Sequence, residues 1–157
     1  MPTRAGRRPK SWTEKLNAPA ATVVKPAPMD FAGMKAGEIM LVPTPAMIDA
    51  FVRAVPFGRS STTRVMRMVL AERHGAQVTC PIYTGYHVRT VAEAACEAHA
   101  AGAPLAEITP FWRILDPASP TAKRLACGVD FIRVRRRAES ISEEMSPPRH
   151  KKSPHPR

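Results

Sequence analysis

The chain has 157 residues, the size of one ordinary domain, and 44% of them are hydrophobic, which is enough to build a core. Its 24 lysines and arginines outnumber its 13 acidic residues, so the formal net charge is +11 at pH 7. These values exclude a wholly disordered chain, and no uncharged stretch approaches the ~20 apolar residues of a membrane-spanning helix.

The charge is concentrated at the two ends of the chain. Residues 1–28 hold six basic residues and one acidic residue, and residues 133–157 hold eight basic and three acidic residues, so each end carries +5. Nine of the 17 prolines lie in the same ends. Such segments bury too little apolar surface to offset their ordering entropy. We therefore expect residues 1–28 and 135–157 to be disordered tails around a domain at 29–134.

Basic tails attract polyanions, because each phosphate that a cation neutralises releases a counterion. Nucleic acid is the expected partner, although charge alone does not separate DNA from RNA. The alternative is that the tails only keep the protein soluble.

Cysteine and histidine spacing gives no sign of a metal site or a cofactor. The three cysteines are an odd number without CxxC spacing, which indicates reduced thiols in a cytoplasm. The N-terminus has basic residues but no apolar segment behind them, so we expect no secretory signal and a soluble cytoplasmic protein.

The first predicted element is a helix after Thr44. A threonine N-cap followed by Pro45 at the first helical position favours a helix start, and Pro56 ends the segment. Five apolar residues between them fall on one helix face: Met47, Ile48, Phe51, Val52 and Val55.

A second helix is predicted after a turn at Phe57-Gly58. The cluster Ser60–Thr63 supplies candidate caps, and Gly75 is a plausible stop. We expect this helix to bury Val65, Met68, Val69 and the surface on the side of Ala71.

The rest of the middle region predicts a third helix from Thr84 to about Gly102 and a partly extended segment at Ile108–Leu115. A small helix follows at Thr121–Cys127, and the alternation over Val129–Val134 favours an edge strand. The expected fold class is mainly α with a small β element, as in a helix-turn-helix or winged-helix domain.

Three short segments carry a resemblance to a known family. They are VPFGRSSTT at Val55–Thr63, ITPFWRIL at Ile108–Leu115, and AKRLACG at Ala122–Gly128. In this order they are similar to the opening segment, the active-site strand, and the closing helix and glycine of the O6-alkylguanine-DNA alkyltransferases (methylated-DNA–protein-cysteine methyltransferases). The resemblance covers roughly residues 40–132 and implies the winged-helix DNA-binding domain of that family.

The residues that carry the chemistry of that family are replaced. The resemblance places Phe111 where the acceptor cysteine would lie, Trp112 at its activating histidine, and Cys127 at the glutamate that orients the histidine. Neither ring can attack an alkyl carbon or remove a thiol proton. The chain therefore resembles the alkyltransferase-like subgroup, which lacks the acceptor cysteine, and we do not expect an enzyme.

The resemblance implies a pocket for a flipped nucleotide, formed by Tyr83, Phe111, Trp112 and Arg113. The rings of Phe111 and Trp112 could stack on a base, a contact worth ~1–3 kcal/mol, or they could fill the core. Arg113 could likewise bond a loop carbonyl instead of a phosphate.

The expected DNA contacts are Thr62, Thr63, Arg64, Tyr86, His87 and Arg89. Thr63 matches the family's tyrosine that helps rotate the nucleotide, and Arg89 is favoured as the residue that fills the gap left by the flipped base. The alternative for Arg89 is an exposed i,i+4 pair with Glu93.

These features predict a monomeric DNA-binding protein of DNA repair. It would recognise alkylated or damaged guanine by nucleotide flipping without alkyl transfer, and it would be nucleoid-associated in a bacterium. Its expected partners are double-stranded DNA, including alkylated DNA, and nucleotide excision repair proteins. Two alternatives stay open: a divergent active methyltransferase that uses Cys80 or Cys127, and a generic winged-helix DNA-binding protein without lesion preference.

Overall fold

The computed structural model of the chain describes residues 6–142, which are mainly helical with a small sheet. The helices are α1 Trp12–Leu16, α2 Pro45–Ala54, α3 Thr63–Arg73, α4 Pro81–Ala100, α5 Pro120–Arg124 and α6 Gly128–Ala138. The strands are β1 Val23–Pro26, β2 Ile39–Val42 and β3 Val78–Thr79, and a 3-10 turn covers Phe111–Arg113.

The sheet has the strand order β1-β2-β3. β1 pairs antiparallel with β2, and β2 pairs parallel with the two-residue strand β3. Just after β3, the backbone N–H of Cys80 donates to the carbonyl of Leu41 at 2.8 Å. Because Pro81 follows directly, this bond ties the start of α4 to the sheet.

The predictions for α2 are confirmed. The hydroxyl of Thr44 accepts a hydrogen bond from the backbone N–H of Met47 at 3.3 Å, with Pro45 at the first helical position. Ile48 and Val52 are fully buried, as the apolar stripe predicted.

The predicted ends of α3 are confirmed, but only Ala71 of its predicted buried face is buried. Thr62 caps the helix and Gly75 follows it with φ +65°. Met66 and Leu70 are buried, whereas 45% of Val65 and 64% of Met68 are exposed. An eleven-residue helix with three arginines and apolar residues on several faces does not reveal its buried stripe by spacing alone.

α4 begins three residues before the predicted start at Thr84. Pro81 occupies the first helical position, and the hydroxyl of Thr84 donates to the carbonyl of Cys80 at 2.7 Å from inside the first turn. Every residue from Val91 to Cys96 is buried. The second half of α4 is therefore an internal helix, and its start carries the exposed surface.

The predicted edge strand at Val129–Val134 is wrong, because this segment lies in α6. Ile132 is fully buried, and Phe131 packs against the same core. Alternation over six residues is too short to separate a strand from a helix, and the burial of Ile132 decides in favour of the helix.

The expected N-terminal tail contains regular structure within residues 6–28. Ser11 and Glu14 form a reciprocal capping box at the start of α1. The backbone N–H of Thr13 donates to the carboxylate of Glu97 at 3.2 Å, which fixes α1 against α4. β1 adds a strand to the sheet, so burial against α4 and pairing with β2 order a segment whose composition alone suggests a tail.

The first residues of the expected C-terminal tail, 135–157, are ordered in the structure. The helix α6 continues to Ala138, and its C-terminal cap includes Ser140 and Ile141. The backbone N–H of Ser140 donates to the carbonyl of Arg137 at 3.0 Å, and that of Ile141 donates to the carbonyl of Arg136 at 2.9 Å. This pair of bonds, with Ser140 at φ +55°, is a Schellman motif that buries Ile141. The remaining parts of the two predicted tails, 1–5 and 143–157, lie outside the described residues.

One core connects α2, α3, α4, the 3-10 turn and α6; its fully buried side chains include Ile48, Val52, Met66, Phe111 and Ile132. In the part of the chain from residue 6 to residue 142, none of the helices has the length and apolarity needed to cross a membrane.

Candidate functional site

Two of the segments that carry the family resemblance contact each other directly. The backbone N–H of Ser61 donates to the carbonyl of Arg113 at 2.8 Å. The guanidinium of Arg113 donates to the carbonyl of Val55 at 2.8 Å. The loop between α2 and α3 is therefore fixed to the 3-10 turn, and Arg113 makes the structural hydrogen bond to a loop carbonyl that the sequence favours over a phosphate contact.

Glu139 closes this junction from the end of α6. Its carboxylate accepts hydrogen bonds from the guanidinium of Arg113 at 2.8 Å and from the backbone N–H of Gly58 at 3.0 Å. The indole N–H of Trp112 donates to the same carboxylate. Burial raises the pKa of Glu139, but the bonds from Arg113, Gly58 and Trp112 outweigh it, so the net pKa is below the ordinary value.

The rings of Phe111 and Trp112 lie in the core. Phe111 is fully buried and Trp112 is 3% exposed, and Phe111 stacks on Phe131 with ring centroids 5.8 Å apart. Tyr83, by contrast, is 48% exposed on the first turn of α4. The structure does not bring Tyr83, Phe111 and Trp112 together in one base pocket. The rings of Phe111 and Trp112 have no exposed face on which a base could stack.

A different cavity lies between α3, α4 and the segment before α5. It has a volume of about 270 Å³, close to the lower end of ordinary ligand pockets at ~300 Å³, and we call it the α3–α4 cavity. Its polar walls come from hydroxyl groups and one arginine, whereas Val88 and Leu115 form apolar walls. The polar members are Thr63, Arg67, Thr84, Ser119 and Thr121.

A groove of about 360 Å³ adjoins this cavity on the side of β3 and shares Ala32 and Arg67 with it. We call it the arginine groove, since Arg64 and Arg67 both line it. Neither the cavity nor the groove is lined by an acidic residue. The arginine groove is therefore cationic, and it adjoins a small cavity lined with hydroxyl groups.

Exposed aromatic residues stand on the first two turns of α4. Tyr86 is 66% exposed and Tyr83 is 48% exposed. Gly85, between them in sequence, lines the α3–α4 cavity. Neither tyrosine lines that cavity, but large exposed rings are suited to contact flat ligands, because they offer apolar area at low entropic cost.

His87 and Arg89 face different surroundings on α4. Burial lowers the pKa of His87, with a partial offset from a hydrogen bond with the backbone of Pro43. The guanidinium of Arg89 lies 5.2 Å from the centroid of the Trp12 ring. Glu93 accepts a hydrogen bond from the backbone N–H of Ala126 at 2.7 Å, and the ion pairs formed within residues 6–142 do not include Arg89 with Glu93.

Thr62, Thr63 and Arg64 lie at the start of α3. The hydroxyl of Thr62 accepts a hydrogen bond from the backbone N–H of Val65 at 3.1 Å, so Thr62 is the helix cap. Thr63 lines the α3–α4 cavity, and Arg64 is exposed along the arginine groove.

Sequence reasoning missed Arg67, Gly85 and Ser119. Arg67 lies one helical turn after Thr63, so i,i+4 spacing could have placed the two on one face of α3. No local sequence signal predicts that Ser119 lies beside α4, because its position depends on the path of the chain after the 3-10 turn. Among residues 6–142, no three histidine, cysteine or acidic side chains are grouped so that they could hold a metal ion.

Comparisons with known proteins do not identify this site. No protein-family model matches the chain, and no curated protein or solved structure is found to be similar to it.

Proposed function

We propose that this protein binds double-stranded DNA with a helix-turn-helix formed by α3 and α4, in a winged-helix type of domain. In this proposal it takes a damaged or alkylated guanine out of the duplex and holds it in the α3–α4 cavity. It performs no alkyl transfer, and it presents the lesion to other repair proteins, nucleotide excision repair proteins among them. Such a protein acts in the cytoplasm, on the nucleoid in a bacterium.

The α3–α4 cavity is the observation that carries this proposal. A flipped base needs a small pocket at the surface that faces the duplex, with hydrogen-bond partners for its edge and apolar walls for its faces. Thr63, Thr84 and Thr121 supply hydroxyl groups, and Val88 and Leu115 supply apolar walls. Only damaged, mispaired or unpaired bases leave the stack cheaply, which favours lesions over normal guanine.

The surroundings of the cavity support binding of a nucleic acid. Arg64 and Arg67 can neutralise phosphates along the arginine groove. Tyr83 and Tyr86 are exposed on the same first turns of α4 and can stack on bases that have lost their stacking partners. Since Val91–Cys96 is buried, the contact with DNA is restricted to the first turns of α4.

The absence of a nucleophile at the cavity supports recognition without alkyl transfer. Phe111 and Trp112 carry no thiol, and no cysteine lines the α3–α4 cavity. Cys80 is buried in the smaller core cluster with Met34 and Met40. Cys127 lines a different cavity together with Cys96, and Cys96 lies about 12 Å further along α4 than Val88, given the helical rise of ~1.5 Å per residue.

The test is the affinity of the full chain for two duplexes that differ only in one guanine or O6-methylguanine. Fluorescence anisotropy at fixed salt should give about tenfold tighter binding of the methylated duplex, a difference of ~1.4 kcal/mol. Equal affinities would contradict lesion recognition and favour a generic DNA-binding protein. A methyl-sized mass gain of the protein would instead support the divergent methyltransferase.

Two tryptophan variants locate the pocket. Gly85→Trp places a large ring at the cavity, where an added Cβ meets nothing within 4 Å. It should abolish the preference for O6-methylguanine and leave affinity for the unmodified duplex within about twofold. Ala50→Trp adds the same ring to an exposed position of α2 and should change neither value. Retention of the preference in Gly85→Trp would contradict the assignment of this cavity.

A further inference from the structure

A second cavity, of about 340 Å³, lies between α1, α4 and α6 and plays no part in the proposed function. We call it the dithiol cavity, because Cys96 from α4 and Cys127 from the start of α6 both line it. Its other walls are mostly apolar and include the rings of Trp12 and Phe131. Cys127 is partly exposed, so a small reagent can reach its sulfur from this cavity.

A side-chain contact brings together the two segments that carry the cysteines. The carboxylate of Glu93 accepts a hydrogen bond from the backbone N–H of Ala126 at 2.7 Å. Glu93 lies one turn before Cys96 on α4, and Ala126 directly precedes Cys127. The segment that carries Cys127 is therefore attached to α4 next to Cys96.

The pKa values of the two thiols shift in opposite directions. The interaction between the thiols lowers the pKa of Cys127 and raises that of Cys96, with Cys96 raised further by burial. Glu93 opposes ionisation of both thiols through its negative charge. Cys127 at the N-terminal end of α6 is therefore the better nucleophile, and Cys96 is a neighbouring thiol that can react second.

We propose that Cys96 and Cys127 form an oxidation site that reacts with hydroperoxides and closes to a disulfide between α4 and α6. In the first step the Cys127 thiolate attacks one peroxide oxygen, so an S–O bond forms and the O–O bond breaks. The sulfur is oxidised to a sulfenic acid, and the other peroxide oxygen leaves as an alkoxide, or as hydroxide when the reagent is hydrogen peroxide. It takes up the proton that the Cys127 thiol released and becomes an alcohol or water.

In the second step the sulfur of Cys96 attacks the sulfur of the sulfenic acid. An S–S bond forms, and the hydroxyl group leaves as water with the proton from Cys96. No further oxidant is required, and a dithiol reductant reverses the product. The apolar walls of the dithiol cavity favour an organic hydroperoxide over hydrogen peroxide as the reagent.

The experiment exposes the reduced full chain to an equimolar amount of cumene hydroperoxide or hydrogen peroxide and follows its intact mass. The expected product is lighter by about 2 Da, the mass of two hydrogen atoms, and returns to its original mass with dithiothreitol. Peptide mapping should place the crosslink between Cys96 and Cys127. Cumene hydroperoxide should react several-fold faster, whereas equal rates would overturn the role of the apolar walls.

Single serine variants separate the two roles and provide a matched control. Cys96→Ser should stop at a dimedone-reactive sulfenic acid on Cys127, and Cys127→Ser should lose the reaction. Cys80→Ser removes the third thiol, which lies in the other core cluster, and should oxidise as the parent chain does. Oxidation first at Cys80, a crosslink that includes Cys80, or three thiols that stay reduced would each overturn the proposal.

Discussion

The indole N–H of Trp112 donates to the carboxylate of Glu139, a residue that lies 27 positions further along the chain. This bond joins the 3-10 turn to the C-terminal end of α6. With the bonds from Arg113 and Gly58 it makes one buried carboxylate the point where three separate segments meet.

Glu139→Gln should lower the free energy of unfolding by about 3 kcal/mol, since it leaves the guanidinium of the mostly buried Arg113 without a charged partner. Urea denaturation measures this change. The matched control is Asp130→Asn, which removes an exposed ion pair with Arg133 and should cost less than about 0.5 kcal/mol. Equal effects of the two substitutions would contradict the role given to Glu139.

The stability of the protein should fall in acid through Glu139. Its pKa is lower in the folded chain than the ordinary value of 4.5, so the carboxylate stabilises the fold fully above that value. This contribution is lost as the pH falls through the lower, folded pKa. Unfolding free energies between pH 6 and pH 3 should therefore converge for the parent chain and Glu139→Gln, and a constant difference between them would count against this assignment.

Gly58→Ala should destabilise the turn between α2 and α3 by about 1–2 kcal/mol. Gly58 has φ +77°, and an added Cβ would lie 3.4 Å from the carbonyl oxygen of Glu139. Gly85→Ala is the contrasting change, because Gly85 is helical and its Cβ would meet nothing within 4 Å. That variant should be more stable by about 1 kcal/mol, so thermal unfolding of the two should shift in opposite directions.

Arg67→Gln should weaken binding to unmodified duplex DNA by about fivefold and reduce the slope of log affinity against log salt by ~1. Arg53→Gln is the control, since Arg53 is on α2, pairs with Asp49 and lines a cavity with the second half of α4. It should leave both quantities nearly unchanged. A salt titration of the two variants measures the effect. Identical slopes would contradict the proposal that Arg67 contacts DNA.

Local signals predicted the parts of the fold that depend on neighbouring residues. Thr44 and Pro45 open α2 through their own chemistry, and Gly75 ends α3 because it adopts a positive φ. The course of residues 129–134 depends instead on Ile132 packing into a core built by distant elements, so a short alternating pattern misled the prediction. The end of α6 was missed for a related reason, since Ser140 occupies the position where a glycine is usual.

The candidate site was predicted only in part. The sequence identified Thr63 and Arg64 as candidate site residues. In the structure Thr63 lines the α3–α4 cavity and Arg64 lines the arginine groove. For Phe111 and Trp112 the sequence left a base pocket and the core as alternatives, because it shows that a residue is large and apolar but not which of its faces is covered; in the structure they are core residues. Ser119 reaches the cavity only through the path of the chain after the 3-10 turn.

The placement of Glu139 and Trp12 sets how far the chain can be shortened. A fragment limited to residues 29–134, the boundaries that composition suggests, would lack the carboxylate that holds Trp112 and Arg113 and the short helix that covers part of α4. The indole N–H and the guanidinium would then be left unpaired, and an apolar strip along α4 would face water. Such a fragment should be poorly soluble although it retains both helices proposed to meet the duplex.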